Sequence, residues 1–286
     1  MQRALDELVA TFNPHERLPH DPLGIVHEVP AEDREIVAHL AASLAYGRVD
    51  LIRGALRRVL DALAPSPAMA LRAWVPGAFV AHDPHFVYRM TRAEDIDGML
   101  SALAALQTEF TSLEDAFLTG VVADEDDLAP AASRYVQLLR SRAPDPERRG
   151  LRYLLPDPAT GSAAKRLFLL LRWLVRPEAP DLGLWSRVPP AKLLLPLDTH
   201  TSFWVQALGL SRRRTADLKM TQEATAILRR WRPTDPVAYD MALCHLGIAG
   251  DCQHRFHEPT CSRCPLLTHC RVAHEGGRKA RRRGAG

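Results

Sequence analysis

The chain has 286 residues, 47% of them hydrophobic and 25% charged, with a formal net charge of +3. That length and balance suit a globular protein with a large core, as one domain or two lobes, and so small a charge does not by itself argue for a polyanionic partner. No run of 18 apolar residues is present to cross a membrane, and the opening MQRALDELVATF lacks the basic start and apolar middle of a secretion signal. The expected compartment is the cytoplasm, where cysteines serve as ligands more readily than as disulfides.

Helical spacing runs nearly the whole length. Over residues 35–62, Ile36, Leu40 and Leu44 and then Leu51, Ile52, Leu56 and Leu60 predict two helices parted by Gly47. A helix follows from Arg92 to Glu109, then a short one over Leu113–Leu118 capped by Ser112, then another over residues 130–143. Residues 161–176 place Leu167, Leu170, Leu171 and Leu174 on one stripe, with Ser162 as the expected cap. A proline-rich connection, 177–196, leads to Asp198, which opens a helix ended by Gly209. The last helix before the cysteines spans about Pro236 to Leu246. No alternating strand pattern is visible, and the prolines fall mainly between helical stretches, as loop punctuation in an all-α protein. The final ten residues, GRKARRRGAG, read as a disordered basic end. Other basic residues gather at Arg212–Arg214, Arg229, Arg230 and Arg232, each cluster reading first as a solvated face.

Four of the five cysteines, Cys252, Cys261, Cys264 and Cys270, stand in a C-x8-C-x2-C-x5-C pattern. So tight a group in a long chain reads as a metal site closed by one loop. Spacing alone leaves zinc and a [4Fe–4S] cluster open. The fifth, Cys244, lies in an apolar helix and reads as a buried free thiol.

Leu195-Pro196-Leu197-Asp198-Thr199-His200 sets a carboxylate at a helix start, where aspartate is a strong N-cap. With LDTH followed by helices and then the four-cysteine loop, the chain resembles the helix-hairpin-helix DNA glycosylase superfamily, of which endonuclease III is the familiar member. The resemblance covers roughly residues 160–272. It is similar to a bacterial branch with a G-S-A-x-K-R-L stretch before P-L-D-T-H. It implies an all-α, two-lobed glycosylase-like fold with a C-terminal [4Fe–4S] loop, zinc being the alternative. The N-terminal segment, 1–34, would pack on the C-terminal lobe, 35–175 would form a helical barrel, and 176–272 would carry Asp198 and the cysteines. Residues 273–286 would be the disordered tail. One departure is plain: the superfamily's glycine-rich hairpin, whose N–H groups bind a phosphate, has no counterpart in WSRVPPAKLLLPLDTH.

In bifunctional members of that superfamily a lysine amine attacks C1′ of the sugar. The usual lysine position, about eighteen residues before the aspartate, holds Pro180 here. Lys165, 33 residues before Asp198, matches the lysine-to-aspartate spacing of the archaeal 8-oxoguanine glycosylases; its alternatives are an ordinary solvated stripe with Arg172 and Arg176, or Lys192 as the nucleophile. Burial and nearby Arg166 would lower the amine's pKa toward working pH. The expectation is a monomeric, nucleoid-associated DNA glycosylase and AP lyase acting on duplex DNA with a damaged base, 8-oxoguanine first. Lys165 and Asp198 would be catalytic, and Cys252, Cys261, Cys264 and Cys270 the cluster ligands. The alternatives are a monofunctional glycosylase, a non-catalytic DNA-binding protein on a diverged fold, or an enzyme acting on RNA. His200 reads as a structural histidine, and Trp173, Trp185, Trp204 and Tyr46 as core or as stacking partners for a flipped base.

Overall fold

The computed structural model describes residues 1–284, with side chains to residue 278. Among them, α-helices supply nearly all the regular structure. α1 (Gln2–Thr11) buries Leu5 and Leu8 on one face, and α2 (Pro14–Arg17) opens on proline after the Asn13 cap. α3 (Leu23–Glu28) and α4 (Arg34–Ser43) are largely buried. Gly47, at φ +100°, turns the chain into α5 (Val49–Asp61), where Ile52, Ala55, Leu56 and Val59 form the buried stripe. α6 (Pro67–Arg72), α7 (Ala78–His82), α8 (Ala93–Glu109), α9 (Leu113–Leu118), α10 (Ala129–Arg142) and α11 (Arg149–Leu154) follow. Ser112 caps α9 as expected, accepting from the Asp115 N–H at 3.1 Å. One tiny hairpin, Val87–Tyr88 against Thr91–Arg92, is too short to leave an alternating signal in the sequence.

The second part holds α12 (Lys165–Val175), α13 (Thr199–Ala207), α14 (Leu218–Trp231), α15 (Asp240–Ile248), α16 (Glu258–Cys261) and α17 (Arg271–Gly284). α12 begins later than its apolar stripe suggests, and Ser162 is not its cap. Ser162 instead forms a β-bridge with Asp217, and the Leu218 N–H donates to the Gly161 carbonyl at 3.0 Å. The start of α14 thus claims the backbone that would have extended α12. The chain enters α12 through Ala164 in the left-handed region, at φ +41°.

Two hydrophobic clusters divide the core. The larger reaches from Leu23 to Leu194 and adds Val237. The smaller joins Leu5 and Leu8 of α1 to Leu195, Leu197, α13, α14, α15 and the start of α17. The expected boundaries shift accordingly. Leu23, Ile25 and Val26 belong to the larger cluster, not with the N-terminal segment, and so do Trp185, Val188, Leu193 and Leu194. The tail is also corrected. Residues 273–284 continue α17, because Ala273 is buried in the smaller cluster and Gly276 leaves room for the Phe256 ring against the helix; residues 285 and 286 lie outside the described residues. Between Val175 and Thr199 the chain makes one 3-10 turn, Pro190–Lys192, with no pair of α-helices around a hairpin.

Candidate active-site cleft and cysteine cavity

A cleft of about 470 Å³ opens where the clusters meet. α12 brings Lys165, Leu169 and Arg172 to it at intervals of four and three, α13 brings Asp198 and His200, and α15 brings Asp240, Cys244 and Gly247. Lys165 and Asp198, 33 positions apart in sequence, therefore line one cavity.

Asp198 caps α13 and is held at both oxygens. The Thr201 N–H donates to Oδ1 at 2.7 Å, and the Cys244 thiol donates to Oδ2 at 3.1 Å. Burial pushes this carboxyl up, but the Lys165 ammonium, the Thr201 N–H and the Cys244 thiol outweigh it and hold Asp198 below the usual carboxylate range. It is an anion at neutral pH.

Behind it lies a buried ionic network. Arg172, only 3% exposed, pairs with Asp240 and with Asp181 at 3.1 Å. Thr201 Oγ donates to Asp240 Oδ1 at 3.3 Å, linking the network to the N-terminal turn of α13. Burial raises Asp240 to about 6; Arg172 works against that rise and the Asp198 charge adds to it. Also lining the cleft, His245 Nε2 stands 3.4 Å from Asp21 Oδ2. Burial raises Asp21, but His245, the Leu23 N–H and Arg172 bring it below the ordinary value.

Several expectations change here. Arg166 is bound to partners of its own. Its guanidinium donates to the Ser43 and Tyr153 carbonyls and stacks over Tyr46 and Tyr153. Arg172 and Arg176 are no solvated stripe, since both pair with buried Asp181. Lys192 is held elsewhere, its ammonium donating to the Ala123 carbonyl at 2.7 Å. Trp173, Trp185 and Trp204 are core residues, and Tyr46 packs against Tyr88 and Tyr153; none of the four lines the cleft. Of the basic cluster, Arg213 pairs with Asp217, Arg232 pairs with Asp6 and Arg229 donates to the Ala191 carbonyl, so much of that charge is spent internally.

Cys252, Cys261, Cys264 and Cys270 line one small cavity of their own, walled by Phe203, Trp204, Leu267 and Val272. Among the described residues no three Cys, His, Asp or Glu side chains are arranged to hold a single metal ion. The Trp204 indole N–H, on a residue of that wall, is buried without a partner, and a cluster sulfide is the kind of acceptor that would satisfy it. Burial pushes the Cys252 and Cys264 thiols up, and the neighbouring cysteines add to the rise; a bound cation would reverse that.

α13 couples the two cavities. His200 lines the cleft, while Phe203 and Trp204 face the cysteines. His200 Nδ1 lies 3.1 Å from Nε2 of His254, which stands between Cys252 and Cys261 and stacks on Phe203 at 4.3 Å. Gly247 is required at this junction, since a Cβ there would collide with the His200 ring. Sequence reasoning read Cys244 only as a buried free thiol and passed over His254. A cysteine in an apolar helix carries no local mark of a carboxylate partner 46 positions away. No curated protein and no solved structure matches the chain. A family model matches residues 21–249, most of its length, and the chain belongs to the family described as "Protein of unknown function (DUF2400)".

Proposed function

We propose that the protein is a DNA glycosylase with AP lyase activity, using Lys165 as nucleophile and Asp198 as the charge that steadies the sugar. The observation that carries this reading is the shared cleft: an ammonium and a carboxylate held ionised beside it, in a cavity within the size range of small-ligand sites. A damaged base would be flipped out of the stack into it, at a cost of a few kcal/mol that damage lowers. Once the Lys165 ammonium has given a proton to solvent, its amine attacks C1′ as the bond from C1′ to the base nitrogen breaks. The base leaves with that electron pair and takes up a proton. Asp198 stabilises the positive charge developing on the sugar and helps accept the amine proton. Opening of the C1′–O4′ bond, with O4′ taking up a proton, gives the protonated Schiff base, and removal of a C2′ proton then expels the 3′ phosphate by β-elimination.

Cys252, Cys261, Cys264 and Cys270 would hold a [4Fe–4S] cluster, supported by the shared cavity and the orphaned Trp204 N–H. Held by these four cysteines, such a group would close the loop and contribute folding energy rather than chemistry at the sugar. Duplex DNA is the partner, and 8-oxoguanine is the first lesion to test.

Borohydride trapping on duplexes bearing 8-oxoguanine, other oxidised bases or an abasic site tests the proposal. A covalent adduct is expected with the wild type and none with Lys165→Ala. Base release without an adduct would reduce the activity to a monofunctional glycosylase. Neither base release nor adduct across the panel would overturn the reading. Binding without chemistry would favour a DNA-binding protein on the same fold, a reading that the absence of a helix pair between Val175 and Thr199 does not oppose.

A further inference from the structure

We propose that Cys244 is a positioning residue: its thiol hydrogen holds the Asp198 carboxylate in the cleft it shares with Lys165. The inference rests on the catalytic reading of Asp198 given above and deepens it.

Asp240, Met241, Cys244, His245, Gly247 and Ile248 of α15 line the cleft, positions that fall on one broad helical face. Ala242 and Leu243, on the other side of the helix, sit in the smaller core. Cys244 therefore stands where the helix changes from core to cleft. Its Sγ lies 3.1 Å from Asp198 Oδ2, while the Thr201 N–H takes Oδ1 at 2.7 Å. Each carboxylate oxygen thus has one donor from the protein, which fixes the plane of the group while leaving lone pairs for a substrate. Without the thiol, Oδ2 would have no donor in this wall and the carboxylate could swing about its one remaining bond.

The sulfur can only donate here. Burial, and then the charges of Asp198 and Asp240, push the thiol well above its ordinary range, so it remains protonated at working pH. That excludes Cys244 as a nucleophile and matches the donor role. Serine offers the same hydrogen from a similar position; alanine offers none.

The test compares wild type, Cys244→Ser and Cys244→Ala in the full-length holoprotein. Asp198 is followed directly by the carboxyl carbon resonance of ¹³C-labelled aspartate, assigned with Asp198→Asn. Single-turnover base release is followed against pH on the duplex that the trapping panel identifies. In Cys244→Ala the Asp198 titration midpoint should move to higher pH, the acid limb of the rate profile should move with it, and the plateau rate should fall about tenfold, the loss of one hydrogen bond to a charged group. Cys244→Ser should restore all three. An Asp198 midpoint that is the same in wild type and Cys244→Ala overturns the inference, whatever the rates do. A midpoint that moves while the wild type releases no base from any duplex retires the glycosylase reading and leaves the thiol–carboxylate bond standing. Should Cys244→Ala fail to fold, the wild-type S–H Raman band decides. It should shift when Asp198 is replaced by asparagine, and an unmoved band refutes the bond.

Discussion

Asp240→Asn probes the balance between burial and charge beneath the cleft. In an unfolded chain this carboxyl titrates at its ordinary 3.8; in the fold it is raised to about 6, because loss of water outweighs the attraction of Arg172 and the Asp198 anion adds repulsion. A raised carboxyl means that the folded state keeps its proton where the unfolded chain has lost it. The stabilisation from that proton is fully present below the unfolded value and fades as pH climbs through the folded one. A rise of this size corresponds to about 3 kcal/mol. Asparagine cannot titrate and so escapes that loss. It also gives up an ion pair, but Arg172 keeps Asp181 at 3.1 Å, and any such constant offset cancels when two pH values are compared. Urea unfolding of wild type and variant at about pH 4 and about pH 7.5 should therefore show the variant gaining about 2 kcal/mol relative to wild type as pH rises, since part of the loss has already occurred at pH 4. A flat difference would refute the reasoning. A difference of opposite sign would mean that the Arg172 pair, not burial, governs Asp240.

Other expectations follow from single positions. Ala164 enters α12 at φ +41°, where a Cβ is strained, so Ala164→Gly should raise stability by about 0.5–1 kcal/mol in a thermal melt, less whatever the freer unfolded chain takes back. Gly247→Ala should displace His200 and break its contact with His254, costing about 1–3 kcal/mol and hastening proteolysis of the cysteine loop. Arg166→Met strips donors from the Ser43 and Tyr153 carbonyls and a cation from two tyrosine faces; a loss of about 3 kcal/mol by urea unfolding is expected. Chelation of the holoprotein should expose residues near 252–284 to protease while the larger cluster, Leu23 to Leu194, stays protected; simultaneous loss of both would show that the loop is not a separate folding unit.

How much of this was legible beforehand depends on the range of the interaction. The Ser112 cap, the Gly47 break and the Asp198 cap are set within a few residues, and each reads directly from local sequence. The helix Leu218–Trp231 was also readable, since Met220, Ala224, Ile227 and Leu228 repeat at helical spacing; the basic residues on either side drew attention to charge instead. Arg172 shows the other limit. Seven positions after Lys165 it has the period of a solvated basic stripe, and nothing nearby announces that Asp181 and Asp240 will surround it in the interior. The same holds for Cys244. Its neighbours on α15 are apolar, so its packing is predictable, but its partner arrives from α13, an element positioned by contacts in the smaller core. Charge and hydrogen-bonding roles in this cleft are assigned by which helices meet, and the meeting is decided by apolar residues that carry none of the chemistry. A sequence pattern can therefore nominate Lys165 and Asp198, while the groups that hold them become visible only once α12, α13 and α15 converge.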